Sequence, residues 1–427
     1  MVPSSNGNRL SHTAIKASVG QHGFTDLFTT EKAEVASKLR KLPLKMVGFL
    51  RSLISASLLF HLGSTVSIPK RGGGHGGITP FSNAEVFRSS EGWTPPGTLY
   101  ARSTQLNDSS ILATWENYSP EPPQVYFPIF RSTDYGRTWS EYSRVEDTQR
   151  GFGLRYQPHL YVLPGQLGDL PAGTVLLSGS AIPTDLSSTH IELYASRDQG
   201  QTWEFVSHVA DGGEALPNNG LTPIWEPFLF YLDGALTVFY SDQRDPAHGQ
   251  KLVHQTTTDG LTWGPVVDDV RYSNFTARPG MPTIAQLKDG NWIMTYEYVN
   301  DPCECGVPVY YRISDDPLSW DDKVPTWLRP SDGTNPEGTP YVVVADDGTI
   351  IISSNTEAAV FVNDGDASAG GWRTVHIAQK RSYTRALGLI KEAGKSKQYL
   401  SLISGGVFNP IDPINTVTFG VEDFEAW

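Results

Sequence analysis

Two glutamates stand in settings that could change their acidity. Glu226 lies between Trp225 and Pro227 in Ile224-Trp225-Glu226-Pro227-Phe228, where apolar neighbours can raise a carboxyl pKa and keep the acid protonated. Glu297 follows Tyr296 in Ile293-Met294-Thr295-Tyr296-Glu297-Tyr298. A protonated carboxyl facing an ionised one is the pair that cleaves glycosidic bonds, one as acid and the other as nucleophile. Taken singly, each glutamate reads as readily as a salt-bridge or turn residue. The 71 residues between them therefore matter only if a fold brings the two face to face.

The elements that would do so repeat along the chain. Glu226 opens two period-two apolar runs around Asp233-Gly234, a dipeptide that supplies the positive φ of a tight hairpin. Comparable hairpins run from Tyr100 to Trp115, Tyr156 to Ser178, Met281 to Tyr296, Thr339 to Ser353 and Leu387 to Ile403. Between them recurs S-x-D-x-G-x-T-W, at Ser132 to Trp139 and Ser196 to Trp203, with variants at Thr256 to Trp263 and Ser314 to Trp320. The tryptophans are 64, 60 and 57 residues apart, and Trp372 follows after another 52 as the mark of a fifth unit without the motif. This repeat is the one called the Asp-box. Its Asp and Ser/Thr side chains suit turn amides, its Gly a tight bend and its Trp packing between units, so its aspartates are read as structural. Six units of about 58 residues from Phe81 to Trp427 imply an all-β, six-bladed β-propeller of four-stranded antiparallel blades. The segment Asn83 to Ser89 would close the ring by pairing near Thr416 to Phe424. A β-sandwich with an extra domain is the fallback.

In such a ring the innermost strand of each blade lines a central channel. The residues entering those strands are Tyr100 and Arg102, Tyr156 and Gln157, Trp225 and Glu226, Arg278, Asn335 and Glu337, and Tyr383 and Arg385. Aromatic faces beside carboxylates and arginines suit a sugar, which is apolar on its faces and hydroxylated at its rim. The separation of Glu226 and Glu297 is about one blade, so the two can meet across the channel.

The chain ahead of this unit reads differently. Residues 1–45 are polar, mixed in charge and without a period, and are expected to be a disordered or mis-assigned extension. Met46 to Ser67 has the layout of a secretory signal peptide, with basic residues, an apolar run from Leu53 to Leu62 and a small-residue end. Residues 68–80 form a glycine-rich leader after Lys70-Arg71. Sequons at Asn107, Asn117 and Asn274 agree with a secreted, extracellular protein, although Pro120 weakens the second. The two cysteines, Cys303 and Cys305, exclude a disulfide framework and a thiolate metal centre, and leave a local bridge across Glu304. A net charge of −13 disfavours nucleic acid and anionic membranes as partners. No metal or cofactor is expected, and a monomer is.

Four stretches carry a family resemblance: Trp225-Glu226-Pro227, Asp242-Gln243-Arg244, Arg278-Pro279-Gly280-Met281-Pro282 and Tyr296-Glu297-Tyr298. Together they resemble the fungal exo-arabinanases of glycoside hydrolase family 93. That resemblance implies a propeller that releases arabinobiose from the non-reducing end of linear α-1,5-arabinan with retention of configuration. It implies Glu226 as general acid/base, Glu297 as nucleophile and Tyr383 as the tyrosine that bonds the nucleophile. Tyr100, Arg102, Tyr156, Gln157, Trp225, Arg278 and Arg385 are then the candidate substrate-binding residues. Two other readings stand beside it. A sialidase would use Arg102, Arg278 and Arg385 as a clamp for a sugar carboxylate, but Arg102-Ser103-Thr104 replaces the expected Arg-Ile-Pro. A non-catalytic sugar- or protein-binding propeller would leave Glu226 and Glu297 unpaired in space.

Overall fold

A computed structural model describes residues 77–303, 305–408 and 415–427. The extension (1–45), the signal segment (46–67) and the leader as far as residue 76 lie outside the described residues. Alternating apolar runs become strands, and 24 of them assemble into six antiparallel sheets of four. The first blade is Thr98–Gln105, Ile111–Asn117, Phe127–Ser132 and Ser140–Val145. The second is Leu154–Val162, Val175–Ala181, Thr189–Ser196 and Glu204–Gly212, and the third Ile224–Leu232, Ala235–Asp242, Lys251–Thr257 and Val267–Val270. The fourth is Arg278–Gln286, Trp292–Val299, Val309–Ser314 and Thr326–Trp327, and the fifth Tyr341–Val344, Ile350–Ser353, Ala359–Asn363 and Arg373–His376. The sixth is built from both ends of the unit. Arg385–Lys391, Gln398–Ser404 and Thr416–Glu422 take Phe81–Arg88 as their outer strand, with Phe81 opposite Val421 and Arg88 opposite Thr416. The six-bladed propeller and its strand closure are thus as the repeat requires. Packing begins slightly ahead of Phe81, because Ile78 is buried and its N–H donates to Glu392 Oε1 at 2.9 Å.

The repeated turns do the work their composition suggested. Asp198 Oδ1 accepts the N–H groups of Gln201 (3.1 Å) and Thr202 (2.8 Å) and the Ser196 hydroxyl (2.8 Å), while Oδ2 accepts the Thr202 hydroxyl (2.6 Å). Each turn is seated on the preceding blade. Trp203 Nε1 donates to Ser143 Oγ and Trp263 Nε1 to Ser207 Oγ. Gly136, at φ +91°, lies so close to the Phe419 ring that a β-carbon there would be 2.2 Å from it. Cys303 and Cys305 are joined by a disulfide.

One feature of the inner strands was not read from sequence. In the first four blades the innermost strand carries two residues against one on its neighbour, at the channel mouth. The first of the two is left-handed each time: Tyr100 (φ 52°), Gln157 (56°), Glu226 (63°) and Met281 (56°). Thr339 (45°) holds the corresponding place before Tyr341–Val344. Such bulges bend the strand and re-aim a side chain. In four of the five a proline follows (Pro158, Pro227, Pro282 and Pro340), tolerated because the innermost strand has a free edge on the channel.

Phe419 is fully buried between Trp139 and Phe81 at the closure, and Phe419→Ala should cost about 3–5 kcal/mol of stability by urea unfolding. Asp198→Ala, losing turn hydrogen bonds only, should cost about 1–2 kcal/mol and leave turnover unchanged.

Candidate active site

Glu226 is the left-handed residue of the third blade, and that backbone turns its carboxylate toward the fourth. Its Oε2 accepts the Ser241 hydroxyl at 2.7 Å and the Met281 N–H at 2.8 Å. Glu297 sits on the second strand of the fourth blade, opposite Gly280, and its Oε2 accepts the Thr339 N–H at 2.7 Å. Gly280 lies between the two acids. A β-carbon there would be 3.3 Å from Glu297 Oε1 and 3.4 Å from Glu226 Oε2, so those oxygens are no more than roughly 6.7 Å apart. That bound admits the separation of about 5–5.5 Å used by retaining glycosidases. The paired glutamates expected from sequence are therefore together, which disfavours the non-catalytic reading.

Electrostatics follow from this crowding. Burial is the main cause that raises the Glu226 pKa, opposed by the Ser241 and Met281 hydrogen bonds and by Arg278 and Arg102. Burial and then the Glu226 charge push Glu297 up to about 7, against the Thr339 N–H and Arg278. Two adjacent buried carboxyls do not ionise together readily, so near neutral pH the pair holds one proton. Hydrogen bonds alone would ionise Glu226 first, since it accepts two to one. A sugar between the acids must therefore help to decide which one keeps the proton.

The other candidates fall into three groups. Arg278 is beside both acids; its Nη2 donates to Gln243 Oε1 (3.2 Å) and Gln250 Oε1 (3.0 Å), and burial lowers its pKa while both glutamates oppose that. Tyr383 packs edge-on against Phe408, with ring centroids 4.6 Å apart, and burial followed by Glu297 and Glu226 drives its hydroxyl well above the usual range. It stays a proton donor. Tyr100 behaves likewise, raised chiefly by burial, with the Arg102 guanidinium 4.0 Å over its ring. Tyr156 and Trp225 join Tyr118 in an aromatic cluster beside the acids, and Trp225 Nε1 donates to Gln243 Oε1 at 3.0 Å.

Other residues are placed in supporting roles. Gln157 points its side-chain carbonyl at the Glu226 N–H (3.3 Å). Arg385, 1% exposed, donates from Nη2 to the carbonyls of Ser354, Glu357 and Ala359, while its Nε and Nη1 make no hydrogen bond to the described protein. The Nη2 groups of Arg278 and Arg385 are given to the third and fifth blades, which disfavours the three-arginine clamp of the sialidase reading. Asn335 and Glu337 bond each other at 3.0 Å beside Gly306. Arg102 belongs to a plug across the channel: its guanidinium is 5.4 Å from the Tyr341 ring, His159 Nε2 is 3.4 Å from the Tyr341 hydroxyl, and the His159 and Phe228 rings are 4.6 Å apart. A cavity of about 300 Å³ lies beyond the plug.

Sequence reasoning missed Ser241, Thr339, Gln250, Tyr118 and a further carboxylate linked to the pair, the buried Glu116. Glu116 was detectable: Trp115-Glu116 is an aromatic-Glu pair at a strand end, as Tyr296-Glu297 is.

Solved structures supply the family. An α-L-arabinofuranosidase from Fusarium graminearum is 49% identical with a TM-score of 0.78, over 81% of this chain and 98% of its own. An α-L-arabinanase from Penicillium chrysogenum, complexed with arabinobiose, is 48% identical with a TM-score of 0.78, over 82% of this chain and 99% of its own. A second Fusarium graminearum structure, a GH93 α-L-arabinofuranosidase with arabinobiose, is 49% identical with the same TM-score, over 81% and 99%. The chain belongs to glycoside hydrolase family 93. No family model and no curated relative matches it. The four stretches that carried the resemblance surround one point in this family 93 chain, since Glu226, Arg278, Gly280 and Glu297 converge and Gln243 ties Trp225 to Arg278.

The buried pair also affects stability. A carboxyl whose folded pKa exceeds its unfolded value binds its proton more tightly in the native state, so stability falls as pH rises from the unfolded value to about 7. Glu297→Gln removes that penalty. The variant should unfold on the order of 1–3 kcal/mol less readily than the parent above pH 7, with the difference shrinking toward pH 4 in urea titrations.

Proposed function

We propose that this chain is a retaining exo-α-1,5-L-arabinanase that releases arabinobiose from the non-reducing end of linear arabinan. The observation that carries the reading is the convergence of Glu226 and Glu297 on Gly280 in a family whose Fusarium and Penicillium members were solved with arabinobiose. In the first step Glu226 donates its proton to the glycosidic oxygen as Glu297 attacks the anomeric carbon. The C–O bond to the leaving sugar breaks and an ester to Glu297 forms. In the second, the Glu226 carboxylate takes a proton from water, whose oxygen displaces Glu297 from the same carbon. Arg278 steadies negative charge on both acids, and the Tyr383 hydroxyl, held protonated, lies within the electrostatic reach of the nucleophile. Tyr118, Tyr156 and Trp225 offer aromatic faces to the sugar. The plug of Arg102, His159, Phe228 and Tyr341 supports attack at a chain end, because it blocks a polymer from running down the axis. Secretion is supported by the signal-like layout of residues 46–67, and the protein is taken to act as a monomer.

With debranched linear arabinan, arabinobiose should be the sole early product by chromatography, and Glu297→Gln should abolish it. Azide distinguishes the two roles. With an activated aryl glycoside, Glu226→Ala plus azide should yield a glycosyl azide of retained configuration, and Glu297→Ala plus azide one of inverted configuration, read by NMR. The opposite pattern would exchange the two assignments. Because the shared proton is required, kcat/KM should fall as pH rises through about 7, where that proton is lost.

A further inference from the structure

The third carboxylate in the mouth, Glu116, stands in a defined relation to the other two. It lies on the second strand of the first blade, opposite Leu99, the residue before left-handed Tyr100. Glu297 has the same register in the fourth blade, opposite Gly280 and before left-handed Met281. In a ring of six the first and fourth blades face each other, so the two glutamates are counterparts across the channel. Their surroundings differ. Both Glu116 oxygens are engaged by protein donors, Oε1 by the Gln157 N–H at 3.0 Å and Oε2 by the Tyr118 hydroxyl at 2.8 Å, and the residue is 4% exposed.

The partner at Oε1 gives this carboxylate its consequence. Gln157 is the left-handed residue of the second blade, a conformation that a non-glycine side chain resists and that surrounding contacts must impose. A charge-assisted bond from its N–H to Glu116 is such a contact. Gln157 then accepts, at Oε1, the N–H of left-handed Glu226 at 3.3 Å and the Ser180 hydroxyl at 3.5 Å. Glu116 thus fixes the backbone of the residue whose side chain fixes the backbone of Glu226.

We propose that Glu116 is a positioning residue for proton transfer by Glu226, acting through Gln157 and without touching the substrate; the proposal rests on Glu226 being the acid/base. Losing the Glu116 carboxylate frees the Gln157 bulge and with it the aim of the Glu226 carboxyl at the leaving oxygen. Proton donation suffers, while attack by Glu297 does not.

A change of leaving group separates these effects, since a dinitrophenolate departs without a proton and a sugar alkoxide does not. For Glu116→Ala, kcat/KM on an arabino-oligosaccharide should fall about 10–100-fold and that on a dinitrophenyl arabinobioside should change little. Glu116→Gln keeps a carbonyl for the Gln157 N–H and should recover most of the loss. Gln157→Asn tolerates the left-handed backbone but is too short to reach the Glu226 N–H, and should reproduce the selective loss with Glu116 intact. It also decides the matter if Glu116→Ala does not fold. Equal losses on both substrates, or a raised KM with kcat unaltered, would overturn the proposal. Glu226→Ala is run alongside. A selective loss there, absent from the Glu116 and Gln157 variants, removes this proposal and leaves the acid/base assignment standing; no selective loss in Glu226→Ala removes both.

Discussion

The site depends on one backbone device, the left-handed bulge at the mouth of the inner strands, and on what its N–H meets. In each of four cases the N–H of the bulge residue donates to a side chain of the blade before it: Gln157 to Glu116, Glu226 to Gln157, Met281 to Glu226 and Thr339 to Glu297. The device holds Glu226 at both ends, since its own N–H is a donor to the second blade and its carboxylate an acceptor from the fourth. A non-glycine residue at φ near 60° costs on the order of 1–3 kcal/mol. A hydrogen bond to a charged group contributes a comparable amount, roughly 1.5–3 kcal/mol, so the bulges at Gln157, Met281 and Thr339, whose acceptors are carboxyl groups, are held by the contacts that they make possible, while that of Glu226 rests on a weaker bond to a neutral amide. Blade-to-blade geometry and carboxylate placement are therefore one constraint.

That constraint explains how two carboxyls can be kept close. Their charge is met by oriented N–H groups, by the Ser241 hydroxyl and by Arg278, whose own pKa is lowered by the same burial. Every one of these partners stabilises the ionised form, and burial opposes them. The balance leaves a pair that titrates near neutrality, which suits double displacement, because the acid/base must exist in both protonation states within one cycle while the nucleophile passes from carboxylate to ester and back.

Period and spacing made the fold legible. Hairpins marked by Asp233-Gly234 and Asp289-Gly290, together with tryptophans about 60 residues apart, dictate blades, and the single strand from Phe81 to Arg88 completes the ring. The acids were legible through local company, Glu226 beside Trp225 and Pro227 and Glu297 beside Tyr296. The bulges were not, because a register shift of one residue leaves the alternating pattern on either side intact. Their trace is the recurrent proline after the left-handed residue. Arg385 and Gln157 were read as facing substrate because position alone places them at the mouth. The Arg385 Nη2 and the Gln157 Oε1 are also taken by backbone groups of neighbouring blades, a choice made by hydrogen-bond partners distant in sequence.

The propeller also separates what stabilises it from what it does. Gly168, in the turn of the second blade's first hairpin, approaches the Asp259 carbonyl of the third blade's repeat turn, so hairpin turns and repeat turns share one end of the ring. Glu226 stands at the start of Ile224–Leu232, whose hairpin turn is at its far end. At about 3.3 Å per residue, that strand puts roughly 20 Å between the acid and the turns that fasten the blades. Turn chemistry can therefore be optimised for packing, with Trp203 and Trp263 clamped onto the preceding blade, while the opposite end carries left-handed backbone and crowded charge. The strain of the mouth is borne by six sheets whose cohesion is set elsewhere, which is why a site this unfavourable to its own fold can persist.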